Sequence, residues 1–164
     1  MKILTMKFGG TSVADIDRIK AVRDIISDEI RDGWNVVAVV SAMSKETNKL
    51  IDLAKQVGVE NLVDPEYDSL ISTGEDVSSS LLAIALNSIE ISSRSWRGWQ
   101  IPIRTDSFHS NAKIEEIKAN QIINSFKEGV KVAVVSGFQG IEQAGRITTL
   151  GRGGSDTSAV AIAA

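Results

Sequence analysis

The 164-residue chain has no cysteine, a single histidine, two prolines and one tyrosine. Without cysteine there is no disulfide, no thiolate nucleophile and no cysteine-built metal site, and His109 alone cannot assemble a histidine cluster. No metal-ligating residues are therefore assigned, and a reducing, cytoplasmic setting is the expectation. Long apolar runs are missing as well: no window reaches the roughly 18 uninterrupted apolar residues of a membrane span. The N-terminus opens on a short strand-like run rather than a basic stretch followed by a long apolar one, so neither a signal peptide nor a membrane partner is expected. Positive charge is not in excess. The net charge is −3, with 18 Lys and Arg set against 21 Asp and Glu and scattered along the chain, which argues against a nucleic-acid partner. No glycine loop closes in Gly-Lys-Ser or Gly-Lys-Thr, which disfavours a Walker-type nucleotide loop. What is present is an ordinary globular composition, 43% apolar and 24% charged, without internal repeats or a linker, sufficient for one compact domain or one lobe of a larger one.

Periodicity supplies the element order. Ile3 to Phe8 is a short apolar run that breaks at Gly9-Gly10-Thr11-Ser12, the pattern of a buried strand entering a loop. Ile16, Ile19, Val22, Ile26 and Ile30 then recur at helical spacing, with Asp15 and Asp17 suited to the helix start and Gly33 to its end. Val36 to Val40 is an unbroken apolar run, as expected of a strand covered on both faces in a parallel sheet. A second helical region begins near Lys45, and Asp64 to Glu90 reads as one or two helices with a break at Thr73-Gly74. Further along, the pattern predicts a short strand over Gln100 to Thr105, an amphipathic helix over Ala112 to Lys127 ending at Gly129, and a buried strand over Val130 to Val135. Strand-helix alternation is expected to continue to a last helix opening at Ser155. The class is α/β with a mostly parallel sheet.

Such sheets hold their ligands beyond the carboxyl ends of the strands. The first strand ends in KFGGTS, where Lys7, the Gly9 and Gly10 backbone and the Thr11 and Ser12 hydroxyls outline an anion cradle, or else an ordinary glycine turn beside a surface lysine. The second ends in SAMSKETN, whose Ser41, Ser44 and Thr47 offer hydroxyls or simply cap the next helix. The third ends in SGFQG, which reads as a plain turn. The strongest local signal is TLGRGGSDTS. Arg152 stands among three glycines, ahead of Ser155 and Asp156 in the first turn of a helix. A guanidinium binds a carboxylate as a planar fork; Asp156 acting as a cap that Arg152 merely pairs with is the plainer alternative. In STGEDVSS, Glu75 could receive a substrate ammonium or be a solvated first-turn glutamate. His109 reads as a loop histidine.

In this order KFGGTSVA, VVSAMSKETN, STGED, SGFQG and TLGRGGSDTSA resemble the successive motifs of the aspartate kinases, from Lys7 to the end of the chain. The resemblance implies a three-layer αβα amino acid kinase (carbamate kinase-like) fold with a mostly parallel sheet, of which residues 1–164 would be the N-terminal, substrate-binding lobe. It implies transfer of the ATP γ-phosphate to the β-carboxylate of L-aspartate, the first step toward lysine, threonine and methionine, with ATP and Mg2+ as cofactors. Carried over by position, Lys7 and Asp156 would be catalytic. Ser41, Thr47, Glu75, Arg152 and Ser155 would contact the amino acid, with Arg152 on its α-carboxylate and Glu75 on its ammonium. Lys7, Gly9, Gly10, Thr11 and Ser12 would hold the ATP phosphates. The nucleotide's base and ribose pocket and the regulatory ACT domains of the family would lie outside these residues, so the isolated chain is expected to be inactive, and a homo-oligomer of two or more copies is expected. Charged Lys45 and Glu46 depart from the small or apolar residues more usual before the Thr-Asn pair. The competing readings are another amino acid kinase, acting on acetylglutamate, glutamate or a uridine nucleotide, and a catalytically dead aspartate-binding module.

Overall fold

The computed structural model describes residues 1–58 and 63–164. In chain order the elements are β1 (Ile3–Phe8), α1 (Ile16–Arg31), β2 (Asn35–Val40), α2 (Glu46–Gln56), α3 (Pro65–Ile71), α4 (Thr73–Asn87) and β3 (Ser93–Trp96). There follow β4 (Ile103–Thr105), β5 (Ile114–Ile117), α5 (Asn120–Lys127), β6 (Val132–Ser136), β7 (Gln139–Ile141), β8 (Ile147–Thr149) and α6 (Gly154–Ala163). Among the described residues no helix is long and apolar enough to cross a membrane.

The main sheet is wholly parallel, in the order β1-β2-β6-β3. The apolar runs of β2 and β6 are uninterrupted because successive side chains bury on opposite faces, whereas β1, expected to be a buried strand, lies at the sheet edge with only Phe8 buried. Val36, Ala38 and Val40 pack with Ile19, Val22 and Ile26 of α1 and Leu82 and Leu86 of α4. Val37 and Val39 point the other way, into a second core with Trp96, Ile103, Ile122 and Phe126 of α5, and Ala159 of α6. The result is three layers, helix on sheet on helix. α1 is set off by Asp15, whose side chain accepts from the Arg18 N–H at 2.9 Å, and its end is followed by Gly33 at φ +89°.

A small mixed sheet, β5-β4-β7-β8, stands beside the first. Here the structure departs from the sequence pattern. The predicted helix over Ala112 to Lys127 is β5 followed by the shorter α5. Ile114 and Ile117 suit helical spacing, yet the segment pairs antiparallel with β4. The predicted strand at Gln100 shrinks to Ile103–Thr105, because the Gln100 and Ile101 amides turn back onto the Arg97 carbonyl. Gln139-Gly140 is no plain turn but opens β7, which forms an antiparallel pair with β8, so the expected strand-helix alternation gives way to a hairpin. β3 escaped the sequence reading entirely. The break between α3 and α4 falls at Ser72.

Candidate active site

Phe8, Val40 and Ser136 are level with one another in the sheet register. The three strands therefore release their loops side by side: the Ser41 N–H donates to the Phe8 carbonyl at 3.0 Å and the Gly137 N–H to the Val40 carbonyl at 3.0 Å. Two glycines let other elements reach this edge. A Cβ on Gly137 would stand 2.9 Å from Ser155 Cβ and Oγ, and one on Gly74 would stand 2.9 Å from Ala42 Cβ. Glycine at these positions is what allows α6 to start against the end of β6 and α4 to start against the loop after β2.

The loops enclose a cleft of about 480 Å³ lined by Lys7, Gly10 and Thr11, by Ser41 to Lys45 with Thr47 and Asn48, by Glu75 and Phe138, and by Gly151 to Asp156. Of the residues singled out in the sequence, Lys7, Gly10, Thr11, Ser41, Thr47, Glu75, Arg152, Ser155 and Asp156 meet here. Gly9 and Ser12 are not among the lining residues. The Gly9 carbonyl accepts the Ser12 N–H at 2.9 Å, so that amide is used in closing the turn. His109 lies off the cleft, its Nδ1 2.9 Å from Asp68 Oδ2.

Lys7 Nζ pairs with Asp156 Oδ1 at 2.8 Å. The partner of Asp156 is thus the lysine at the end of β1 and not Arg152, for which no ion pair is found among the described residues. Gly153, at φ +76°, caps α6, leaving Asp156 in the first turn, where the helix dipole favours its charge. Glu75 sits deepest, 4% exposed. Its Oε1 accepts the Ala42 N–H at 3.1 Å, whereas Oε2 is buried with no hydrogen-bond partner among the described residues. Burial pushes the Glu75 carboxyl up to about 8, against the lowering effect of the Ala42 hydrogen bond. With no cation beside it, a carboxyl raised this far holds its proton at neutral pH and would ionise for a cationic group.

Below the lining runs a polar network that motif matching alone does not assign. Asp76 Oδ1 accepts from Ser136 Oγ at 2.9 Å and Gln139 Nε2 at 3.1 Å, and Oδ2 pairs with Arg97 Nε at 3.0 Å. This ties the start of α4 to the end of β6. Its one signal in sequence is adjacency to Glu75. Lys45 also lines the cleft, in the left-handed conformation at φ 67°.

Comparison with known proteins agrees with this architecture. The aspartokinase of Bacillus sp. (strain MGA3) is 49% identical over 164 residues, all of this chain but 39% of that protein. The chain thus spans about two fifths of the length of the curated relatives it matches. The structure of aspartate kinase from Synechocystis superposes with a TM-score of 0.80 at 44% identity, covering 100% of this chain and 26% of that one. E. coli aspartokinase III in complex with aspartate and ADP gives a TM-score of 0.81 at 26% identity, covering 99% and 46% respectively. The description Amino acid kinase family matches residues 2–164, and with its three layers and loop-lined parallel sheet the chain belongs to that family.

Proposed function

We propose that the chain is the aspartate-binding part of an aspartate kinase, which passes the ATP γ-phosphoryl group to the β-carboxylate of L-aspartate and serves lysine, threonine and methionine synthesis in the cytoplasm. The observation that carries this reading is Glu75: a buried carboxyl with one oxygen that has no hydrogen-bond partner among the described residues, in a cleft also lined by Arg152, which makes no ion pair among them. An α-amino acid brings an ammonium for the first and a carboxylate for the second. The sequence motifs and the aspartokinases among the relatives support the choice of aspartate.

In the reaction a β-carboxylate oxygen forms a bond to the γ-phosphorus as the bond from phosphorus to the ADP oxygen breaks. Phosphoryl transfer asks a protein for positioning and charge stabilisation more than for covalent chemistry. Lys7 would neutralise charge on the phosphoryl group, and Asp156 holds the Lys7 ammonium in place. Ser41, Thr47 and Ser155 would contact the amino acid. The proposed phosphate cradle is tight at Gly10, where a Cβ would stand 3.1 Å from the Ala42 carbonyl, and less so at Gly9, where the nearest atom is the end of the flexible Lys7 side chain at 3.3 Å. Thr11, which lines the cleft, would complete that cradle, and Ser12, which does not line it, would add only its hydroxyl. Mg2+ would be carried largely by the ATP phosphates, as is usual for that ion in phosphoryl transfer. Residues 1–164 would be the substrate-binding lobe, with the base and ribose pocket and regulatory ACT domains in other parts of such a protein, and the assembled enzyme a homo-oligomer.

The test is a calorimetric titration of L-aspartate into the chain at pH 7 in two buffers of different ionisation enthalpy. A carboxyl that titrates at about 8 and ionises against the ligand ammonium releases roughly 0.9 proton per aspartate at pH 7. Arg152→Ala, which removes a charge-assisted fork, is expected to weaken binding at least about tenfold. Unchanged affinity in Arg152→Ala, or binding without proton release, would refute the reading.

A further inference from the structure

The turn that carries Arg152 is closed by a backbone hydrogen bond of its own, from the Gly154 N–H to the Gly151 carbonyl at 3.1 Å, and what remains to be fixed is the direction in which that turn projects. Gly151 at φ +74° and Gly153 at φ +76° flank the arginine, Arg152 is exposed, and its side chain has no ion pair among the described residues. A long side chain on a glycine hinge points wherever its backbone is fixed. The fixing comes from Asp68 of α3, a residue outside the cleft lining and completely buried at 0% exposure.

Asp68 receives donors from two separate segments. From β8, the Thr149 N–H reaches Oδ2 at 2.9 Å and the Thr149 hydroxyl reaches Oδ1 at 2.7 Å. From the loop after β4, His109 Nδ1 lies 2.9 Å from Oδ2, the tautomer that an acceptor-only carboxylate selects. The Ser110 N–H is shared between both oxygens at 3.1 and 3.0 Å, and its hydroxyl approaches Oδ1 at 3.3 Å. The two segments also bind each other, through the Ala112 N–H and the Thr149 carbonyl at 2.9 Å. They close on the hinge: a Cβ on Gly151 would stand 2.8 Å from Asn111 Oδ1 and 3.1 Å from the Ser110 carbonyl. One carboxylate thus holds the strand that leads into the arginine loop and the loop that walls it in.

We propose that Asp68 is a positioning residue that sets the backbone of Gly151 to Gly153 and so aims Arg152 into the cleft. That the aimed group meets a substrate carboxylate rests on the function proposed above. The fixing of the loop does not.

Asp68→Asn keeps the shape and replaces one acceptor oxygen with an amide that faces donors. Trypsin cleavage after Arg152, read by mass spectrometry as release of residues 153–164, reports the loop directly. Amide hydrogen exchange of β1, β2 and β6 reports the fold. In Asp68→Asn the cleavage rate is expected to rise at least about tenfold while the sheet stays protected, and aspartate affinity to fall roughly fivefold or more. Thr149→Val, which deletes only the hydroxyl donor, is expected to give a smaller change in the same direction. A residue that only stabilised the fold would lower protection throughout the sheet instead of loosening this loop. Cleavage at the wild-type rate in Asp68→Asn with an intact sheet overturns the proposal whatever aspartate does. If Asp68→Asn fails to fold, the same rate in Thr149→Val decides. A wild-type chain that ignores aspartate while Asp68→Asn is cut faster would sink the substrate assignment and leave the positioning role standing.

Discussion

Glu75→Gln removes one titrating proton from the bottom of the cleft and keeps the shape of the side chain. Glu75 is raised from an ordinary 4.5 to about 8, chiefly by burial. Between those two values the unfolded chain has released the proton and the folded chain still holds it, so stability must fall as pH rises through that window and level off on either side. At pH 7 the gap is 2.5 units above the ordinary value, and at about 1.4 kcal/mol per unit the cost is about 3 kcal/mol. Glutamine has no such cost. The variant is expected to match the wild type below pH 4.5 and to exceed it by about 3 kcal/mol at pH 7, a rise in Tm of roughly 6 to 12 °C for a chain of this size. Urea denaturation of both proteins at pH 5, 6, 7 and 8 measures the difference, in which the titration of every other group cancels. A difference that stays constant over this range would refute the argument. The gain comes with a loss: without a carboxylate for the ammonium, the stabilised variant should not bind aspartate, the usual relation between a strained site and its function.

Other changes test the surroundings of the site. Lys45→Gly relieves a left-handed backbone at φ 67° and should raise the urea midpoint by the equivalent of up to about 1 kcal/mol; a loss would mean that the lysine side chain anchors the loop. Gly140→Ala would place a Cβ 2.4 Å from Thr105 Cγ2 and 2.8 Å from the Ile103 carbonyl. Because that carbonyl belongs to β4, the variant should lose about 1 to 3 kcal/mol in thermal melting, and a neutral result would show the small sheet to be more yielding than it looks. Asp156→Asn breaks the pair with Lys7, but Asp156 is 68% exposed, so urea stability should move by less than about 1 kcal/mol. A larger drop would make the pair a structural brace rather than a functional one.

How much of this was legible in the sequence depends on where each residue finds its partners. β2 and β6 were readable because both of their faces are buried, which leaves Val36 to Val40 and Val132 to Val135 as unbroken apolar runs; α1 was readable from its helical spacing, and β1 from its apolar residues, although it is an edge strand in which only Phe8 is buried. β3 was not: Ser93-Arg94-Ser95-Trp96 is polar at three of its four positions, and what holds it is pairing with β6 and the stacking of Arg94 on Trp96 at 3.9 Å. β5 misled because Ile114 and Ile117 satisfy a helical period as readily as an edge strand. At the site, the glycine loops and charged residues announced themselves by type, and the sheet register brought most of them to one edge. Asp68 gave no such sign. Its donor Thr149 stands 81 positions away, and nothing local separates it from any other acid in the first turns of a helix.

The charges in the cleft bear on which amino acid the site suits. Lys7 is matched by Asp156, whereas Lys45 and Arg152 line the cleft with no ion pair among the described residues. Once Glu75 ionises, three cations face two carboxylates. A ligand with two carboxylates and one ammonium carries a net charge of −1 and balances that excess, while its ammonium supplies the partner that Glu75 Oε2 lacks. An acetylated amino acid, as in the rival reading of an acetylglutamate kinase, has no ammonium. It would leave Glu75 in its protonated form and gain nothing from it, because ionising the carboxyl without a cation beside it would cost several kcal/mol. A nucleotide monophosphate offers nothing to the same oxygen except a donor on its base or sugar, without charge to offset. On the function proposed above, the burial of one glutamate would separate substrates that the shared fold and the glycine cradle treat alike, in favour of a free α-amino acid with an acidic side chain.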